Sequence, residues 1–143
     1  MPSAREFSRI GEFSTFPLAV LDAKAHATYV NEAFEELCGY VGGEIVGRNP
    51  WTFLRGETTS QTTLDFMKNK MSKRLPFETS LVQYRKNKRP FWIGLYVVPF
   101  HDDGTGEHFY ASLQRELRRV GEPVMANLGF SSQVGELLTL AGK

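Results

Sequence analysis

Two carboxamides, Gln83 and Gln114, fall in segments that read as buried strands, and each offers both a donor and an acceptor. With a side-chain period of two, setting Gln83 inward carries Leu81 and Thr79 inward. Facing them are Ile93, Leu95 and Val97, then Tyr110, Ser112 and Gln114. A mostly apolar wall with two amides near its strand ends suits a flat heteroaromatic ring edged with carbonyl and imino groups. Buried amides need partners, so these two require a ligand, water or each other, unless they sit at a solvated rim. Other chemistry is sparse. Cys38 is the single cysteine, which excludes an intrachain disulfide and any CxxC metal site. It reads as a small buried apolar residue. His26, His101 and His108 lack HExxH spacing, and no GxSxG, P-loop or GxGxxG occurs. Asp102-Asp103 lies in a Gly-rich turn and reads as turn chemistry. The expectation is a protein without a metal site that is not an enzyme.

The elements that must position the two amides are legible from periodicity. Phe7, Ile10 and Phe13 recur at helical spacing between Ser3 and Phe13 and predict an amphipathic helix. Phe16 to Leu21 reads as a strand, Asp22 to Ala25 as a turn and His26 to Val30 as the returning strand. Asn31 is placed to cap a helix bearing Phe34, Leu37 and Cys38. Asn49 caps a further turn with Pro50 at its first position, where the missing N–H costs nothing. Ser60 to Arg74 predicts the longest helix, with Leu64, Met67 and Met71 on one side. Strands then follow over Pro76–Arg85, Pro90–His101 and Glu107–Leu117, joined by the turns Lys86–Lys88 and Asp102–Gly106. Two strands, a block of short helices and a three-stranded meander make an α+β pattern, an antiparallel sheet with helices on one face. Residues 118–143 read as a linker and a helix that docks or dimerises.

At 143 residues the chain fits one domain, and 41% hydrophobic against 23% charged residues argues against disorder along most of it. A net charge of +1 is too small for strong nonspecific nucleic-acid binding. No apolar run reaches the ~20 residues that span a bilayer. The expectation is therefore a cytoplasmic protein without a nucleic-acid or membrane partner. Between Lys68 and Arg89, eight basic residues meet only Glu78. They form either a site for a phosphate-bearing ligand or polyanion, or a solvated helix face and a polar hairpin turn. The second wall of the sheet carries Val82, Tyr84, Trp92, Tyr96, Val98, Phe109 and Leu113. So much bare apolar surface needs a cover: the N-terminal helix, the C-terminal helix or a second subunit in a homodimer.

From Phe16 to Gln114 the order of elements and residues resembles a PAS domain, and within that superfamily the LOV (light-oxygen-voltage) branch. The resemblance rests on Ala19-Val20-Leu21-Asp22, Asn31-Glu32-Ala33-Phe34 with Cys38-Gly39-Tyr40, and Glu44-Ile45-Val46-Gly47-Arg48-Asn49. It continues through Phe53-Leu54-Arg55-Gly56, Val82-Gln83-Tyr84-Arg85-Lys86, Phe91-Trp92 and Leu113-Gln114. It implies a sensory domain, residues 16–117, with a five-stranded antiparallel sheet, a cap helix over 1–15 and a flanking helix after 118. It also implies a flavin, FMN or FAD, held without a covalent bond by Asn49, Arg55, Lys68, Gln83 and Gln114. Ala19, Leu21, Phe34, Leu54, Leu81, Ile93, Leu95, Val97, Tyr110 and Ser112 would line its pocket. Photoactive LOV domains carry a cysteine in the run after Gly-Arg-Asn. Here that run is Gly47-Arg48-Asn49-Pro50-Trp51, with one residue more, so proline stands where the thiol belongs and no adduct can form there. Trp51 replaces a phosphate-binding arginine, Ile93 replaces a ring-binding asparagine, and Gln83 keeps an amide on a longer arm. The resemblance thus implies light or redox sensing in which reorientation of the Gln114 amide reaches the last strand. The alternative is a ligand-free PAS module used for dimerisation.

Overall fold

The computed structural model describes residues 3–118, apart from the side chains of Phe7, Ile10 and Phe13. The expected C-terminal helix lies outside the described residues. In chain order the elements are α1 (Ala4–Phe13), β1 (Leu18–Asp22), β2 (Ala27–Val30), α2 (Glu32–Cys38) and α3 (Gly42–Ile45). A 3₁₀ turn (Pro50–Thr52), α4 (Gln61–Ser72), β3 (Phe77–Tyr84), β4 (Pro90–Asp102) and β5 (Glu107–Glu116) follow. The strands form one antiparallel sheet in the order β2-β1-β5-β4-β3, so the two end strands of the meander and the N-terminal hairpin meet at β1–β5. This is the expected PAS/LOV-like architecture.

Local chemistry explains the boundaries. The Ser3, Asn31 and Ser60 side chains each accept the backbone N–H three residues on, capping α1, α2 and α4. Asn49 accepts from Trp51 N, and Pro50 opens the 3₁₀ turn as its position predicts. Asp22 accepts from the backbone N–H groups of Lys24 and His26 at 2.9 Å each, closing the β1–β2 turn.

The sheet's two faces have different covers. Beneath α2, α3, the 3₁₀ turn and α4 lies the main core, in which Ala19, Leu21, Phe34, Ile45, Leu54, Leu81, Ile93, Leu95 and Val97 are buried. On the other face Leu18, Val20, Val98, Phe100, Phe109, Ala111 and Leu113 form a second cluster, joined by Ala4 of α1 and by half-buried Phe16, Tyr29 and Tyr96. Four residues assigned to an open or capped outer face, Val82, Val98, Phe109 and Leu113, are thus buried within the chain. Gly11 lets α1 approach: a Cβ there would stand 2.7 Å from the Tyr29 ring. Asn31 ties these parts together. Its Oδ1 accepts from Leu18 N and Phe34 N, and its Nδ2 donates to Gly11 O and Phe16 O, all within 2.9–3.0 Å.

Candidate functional site

The ladder registers place the predicted inner wall on one sheet face. Leu81 pairs with Ile93, Thr79 with Leu95, Leu95 with Gln114, Val97 with Ser112, and Ala19 and Leu21 with Ser112 and Tyr110. Gln83 and Gln114 lie on this face and are each only 1% exposed. Gln83 sits two strands over and four residues along from Gln114, about 16 Å by ordinary strand geometry. They do not bond to each other. Gln83 Nε2 and Oε1, Gln114 Oε1 and Ser112 Oγ are all buried without a hydrogen-bond partner. An unsatisfied buried polar group costs roughly 1–3 kcal/mol. Four such atoms on one apolar wall call for polar partners, which a ligand or ordered water can supply.

A cleft of about 430 Å³ opens beside this wall, within the range of small-molecule sites. Asn49, Arg55 and Lys68, three of the five residues the resemblance implies for cofactor binding, line it together. Asn49 is occupied as a cap, whereas Arg55 and Lys68 are exposed and form no ion pair among the described residues. Gln83 and Gln114 are not among the lining residues. Trp51, Met67, Met71 and Tyr110 belong both to the cleft wall and to the main core, so they stand between the cleft and the sheet amides. Trp51 is 8% exposed, and its indole Nε1 also lacks a partner. The Tyr110 hydroxyl donates to Met71 O at 2.6 Å and fixes the end of α4 over β5. The cleft also holds Lys24, Gln61 and Asp65, which the sequence pattern does not single out because a turn lysine and an exposed helix face carry no signature.

Other expectations resolve differently. The basic stretch is not one surface: Arg85 pairs with Glu116 at 2.8 Å and Lys86 with Glu44 at 2.6 Å, acids supplied by distant parts of the chain. Tyr84, assigned to the outer face, instead packs its half-buried ring on Gly56 and bonds its hydroxyl to Thr58, holding a loop against edge strand β3. Trp92 (37% exposed) and half-buried Tyr96 remain on the outer face. Cys38 is buried, and desolvation raises its thiol pKa, keeping it an unreactive thiol. Among the described residues no cluster of His, Cys, Asp or Glu can hold a metal ion, and no helix is long and apolar enough to cross a membrane.

The described residues offer a flavin polar groups in two places that do not adjoin directly: the partnerless amide and hydroxyl atoms of the inner sheet face, and the cleft with Arg55 and Lys68, which form no ion pair among the described residues.

Known proteins agree with this architecture. The PAS domain family matches residues 16–118. A blue-light-activated histidine kinase 1 of Erythrobacter litoralis is 39% identical over 85 residues, 59% of this chain and 23% of that protein. A blue-light-activated histidine kinase of Brucella anthropi is 26% identical over 117 residues, 80% of this chain and 24% of that protein. The chain thus spans about a quarter of the length of these relatives. Among solved structures, the LOV domain of an Erythrobacter litoralis blue-light activated histidine kinase superposes with a TM-score of 0.65 at 29% identity, covering 73% of this chain and 97% of that one. A Rhodobacter sphaeroides LOV protein gives a TM-score of 0.78 at 22% identity, covering 96% and 80%, a likeness of fold. With the match reaching across the sheet, its helices and both glutamine strands, this chain belongs to the PAS domain family and is LOV-like within it.

Proposed function

We propose that this chain is a sensory input domain that holds a flavin, FMN or FAD, non-covalently between its inner sheet face and the overlying helices, and that it performs no catalysis itself. The observation that carries this reading is the buried, partnerless amide of Gln83 with the Gln114 and Ser112 oxygens on the same wall. Gln83 and Gln114 would bind the ring edge, while Arg55 and Lys68 would meet the phosphate. A flavin supplies light absorption and reversible redox chemistry. The protein's part is to bind and orient it, and to read its hydrogen-bonding state through the Gln114 amide. Gln114 lies on β5, whose backbone N–H at Gln114 also donates to Pro17 O, so a reoriented amide strains the strand that leads to Arg115 and the chain's exit. Pro50 presents no thiol and Cys38 is buried, so the response needs no cysteinyl adduct. In this reading residues 1–15 cap the sensory unit, 16–117 form it and 118–143 connect it to an output. It acts in the cytoplasm as a homodimer formed through the outer sheet face. A second reading, a ligand-free dimerisation module, is favoured by one observation: Trp51 and its neighbours fill the space between the cleft and the glutamines. The visible absorption spectrum of the purified protein, recorded before and after incubation with FMN and removal of excess, decides between them. Retained flavin bands support the sensor; a colourless protein in both samples supports the module.

A further inference from the structure

The C-terminal end of α4 carries side chains that line neither the main core nor the cleft. Lys70 lies in its last turn, Lys73 caps it, and Arg74 follows in the left-handed region at φ 54°. Arg74 N then donates to Met71 O and Leu75 N to Lys70 O, both at 3.0 Å, closing the helix end. Glycine is the usual residue at such a left-handed position, because a Cβ there strains the backbone. Arginine keeps the strain and adds a charge.

The fold-back sets Leu75 beside the turn that carries Lys70, and the Lys70 ammonium lies 5.6 Å over the ring of Phe66, one turn earlier. Phe66, which meets the Phe77 ring edge-on, is 40% exposed, and Leu75 is 42% exposed. Lys70, Lys73 and Arg74 form no ion pair among the described residues. The acids nearest in sequence belong elsewhere: Asp65 accepts from Gln61 in the cleft wall, and Glu78 stands opposite Tyr96 of the outer face. The helix dipole favours cations at this end, which accounts for their sign. It does not account for two exposed apolar side chains among them. Cations around apolar tips match an anionic lipid surface, where the charges meet headgroups and the tips enter the boundary beneath. A nucleic acid matches the charge and leaves Leu75 without a role.

We propose that Phe66, Lys70, Lys73, Arg74 and Leu75 dock the protein reversibly on an anionic lipid surface. The sequence expectation of no membrane partner came from the lack of a spanning run, which does not bear on a contact at the surface. The proposal stands apart from flavin binding.

Co-sedimentation of the purified protein with phosphatidylcholine vesicles, with and without phosphatidylserine, tests it. The protein is expected to sediment with the phosphatidylserine vesicles alone, and less as salt rises. Lys73→Gln weakens this binding about threefold to fivefold. Arg74→Gly weakens it by a similar factor without lowering the melting temperature, since glycine takes the positive φ without strain. Leu75→Ser, a change at an exposed site, weakens it at least about threefold. Equal sedimentation with both vesicles, none with either, or Lys73→Gln and Arg74→Gly proteins that bind as the wild type does, overturns the proposal. A Leu75→Ser protein that keeps full, salt-dependent binding also overturns it and assigns the patch to a polyanion instead. Each of these results leaves the flavin reading standing.

Discussion

Asn31 and Gln83 are both deeply buried amides, and their opposite hydrogen-bonding states set opposite expectations. Asn31 bonds four backbone groups that join α1, β1 and α2, so Asn31→Ala should lower stability by about 3 kcal/mol in urea denaturation, through a lost cap and freed buried groups. Gln83 bonds nothing. Replacing it with apolar Gln83→Leu should leave the ligand-free protein as stable or stabilise it by about 1 kcal/mol, while abolishing most of the gain in stability that FMN confers. A marked loss of stability in the ligand-free protein would mean that the amide already has a partner. Cys38→Ala should leave any light-induced spectral change in the flavin-loaded protein intact, because the buried thiol takes no part; disappearance of that change would implicate Cys38. Both glutamines were legible as inward-facing from strand period alone. Their lack of partners was not, since that depends on what helices bring to the opposite side.

Elements are joined by contacts that periodicity does not encode. The start of α1 is held by Asp102, whose carboxylate accepts from Ala4 N at 3.0 Å and from Gly104 N at 2.8 Å. The Ala4 N–H first, and the turn N–H groups after it, favour the charged form and pull its pKa below the ordinary 3.8 against the opposing effect of desolvation. A carboxylate with a depressed folded-state pKa stabilises the fold above its unfolded value and loses that contribution as pH falls through the folded one. Stability should therefore decline as pH drops below about 4, and Asp102→Asn should flatten that part of the curve when melting temperature is followed against pH. An unchanged slope would release Asp102 from this role. The strand spans, the longer helices, the Asn31 and Asn49 caps and the Asp102 turn were readable because each depends on near neighbours in sequence, whereas the short α3 begins at Gly42 and Gly43, which read as helix breakers. The tether of α1 to Asp102, the clasp of Tyr84 on Gly56 and the pairing of Arg85 with Glu116 join residues far apart in the chain, so no local pattern announces them.

At the scale of the whole molecule, one sheet separates two surfaces with different tasks. The inner face holds the orphaned polar atoms, and the outer face ends in Trp92 and Tyr96 after α1 and the second core cluster have covered their share. If the exposed part is a subunit interface, Trp92→Glu should convert a homodimer to a monomer by light scattering, and an unchanged mass would exclude this face. The family was legible because PAS-like segments recur in order across the sheet. The cleft was only half legible: Arg55 and Lys68 followed from resemblance, whereas Trp51 appeared only as a departure and became a wall of the site once its place in the core was known. The claim on which the account depends is that the sheet amides grip a planar guest, and calorimetric titration with FMN measures it most directly. The account predicts saturable one-to-one binding that Gln83→Leu weakens at least about tenfold, or about 1.4 kcal/mol. No heat of binding, or equal affinity in wild type and variant, would contradict it.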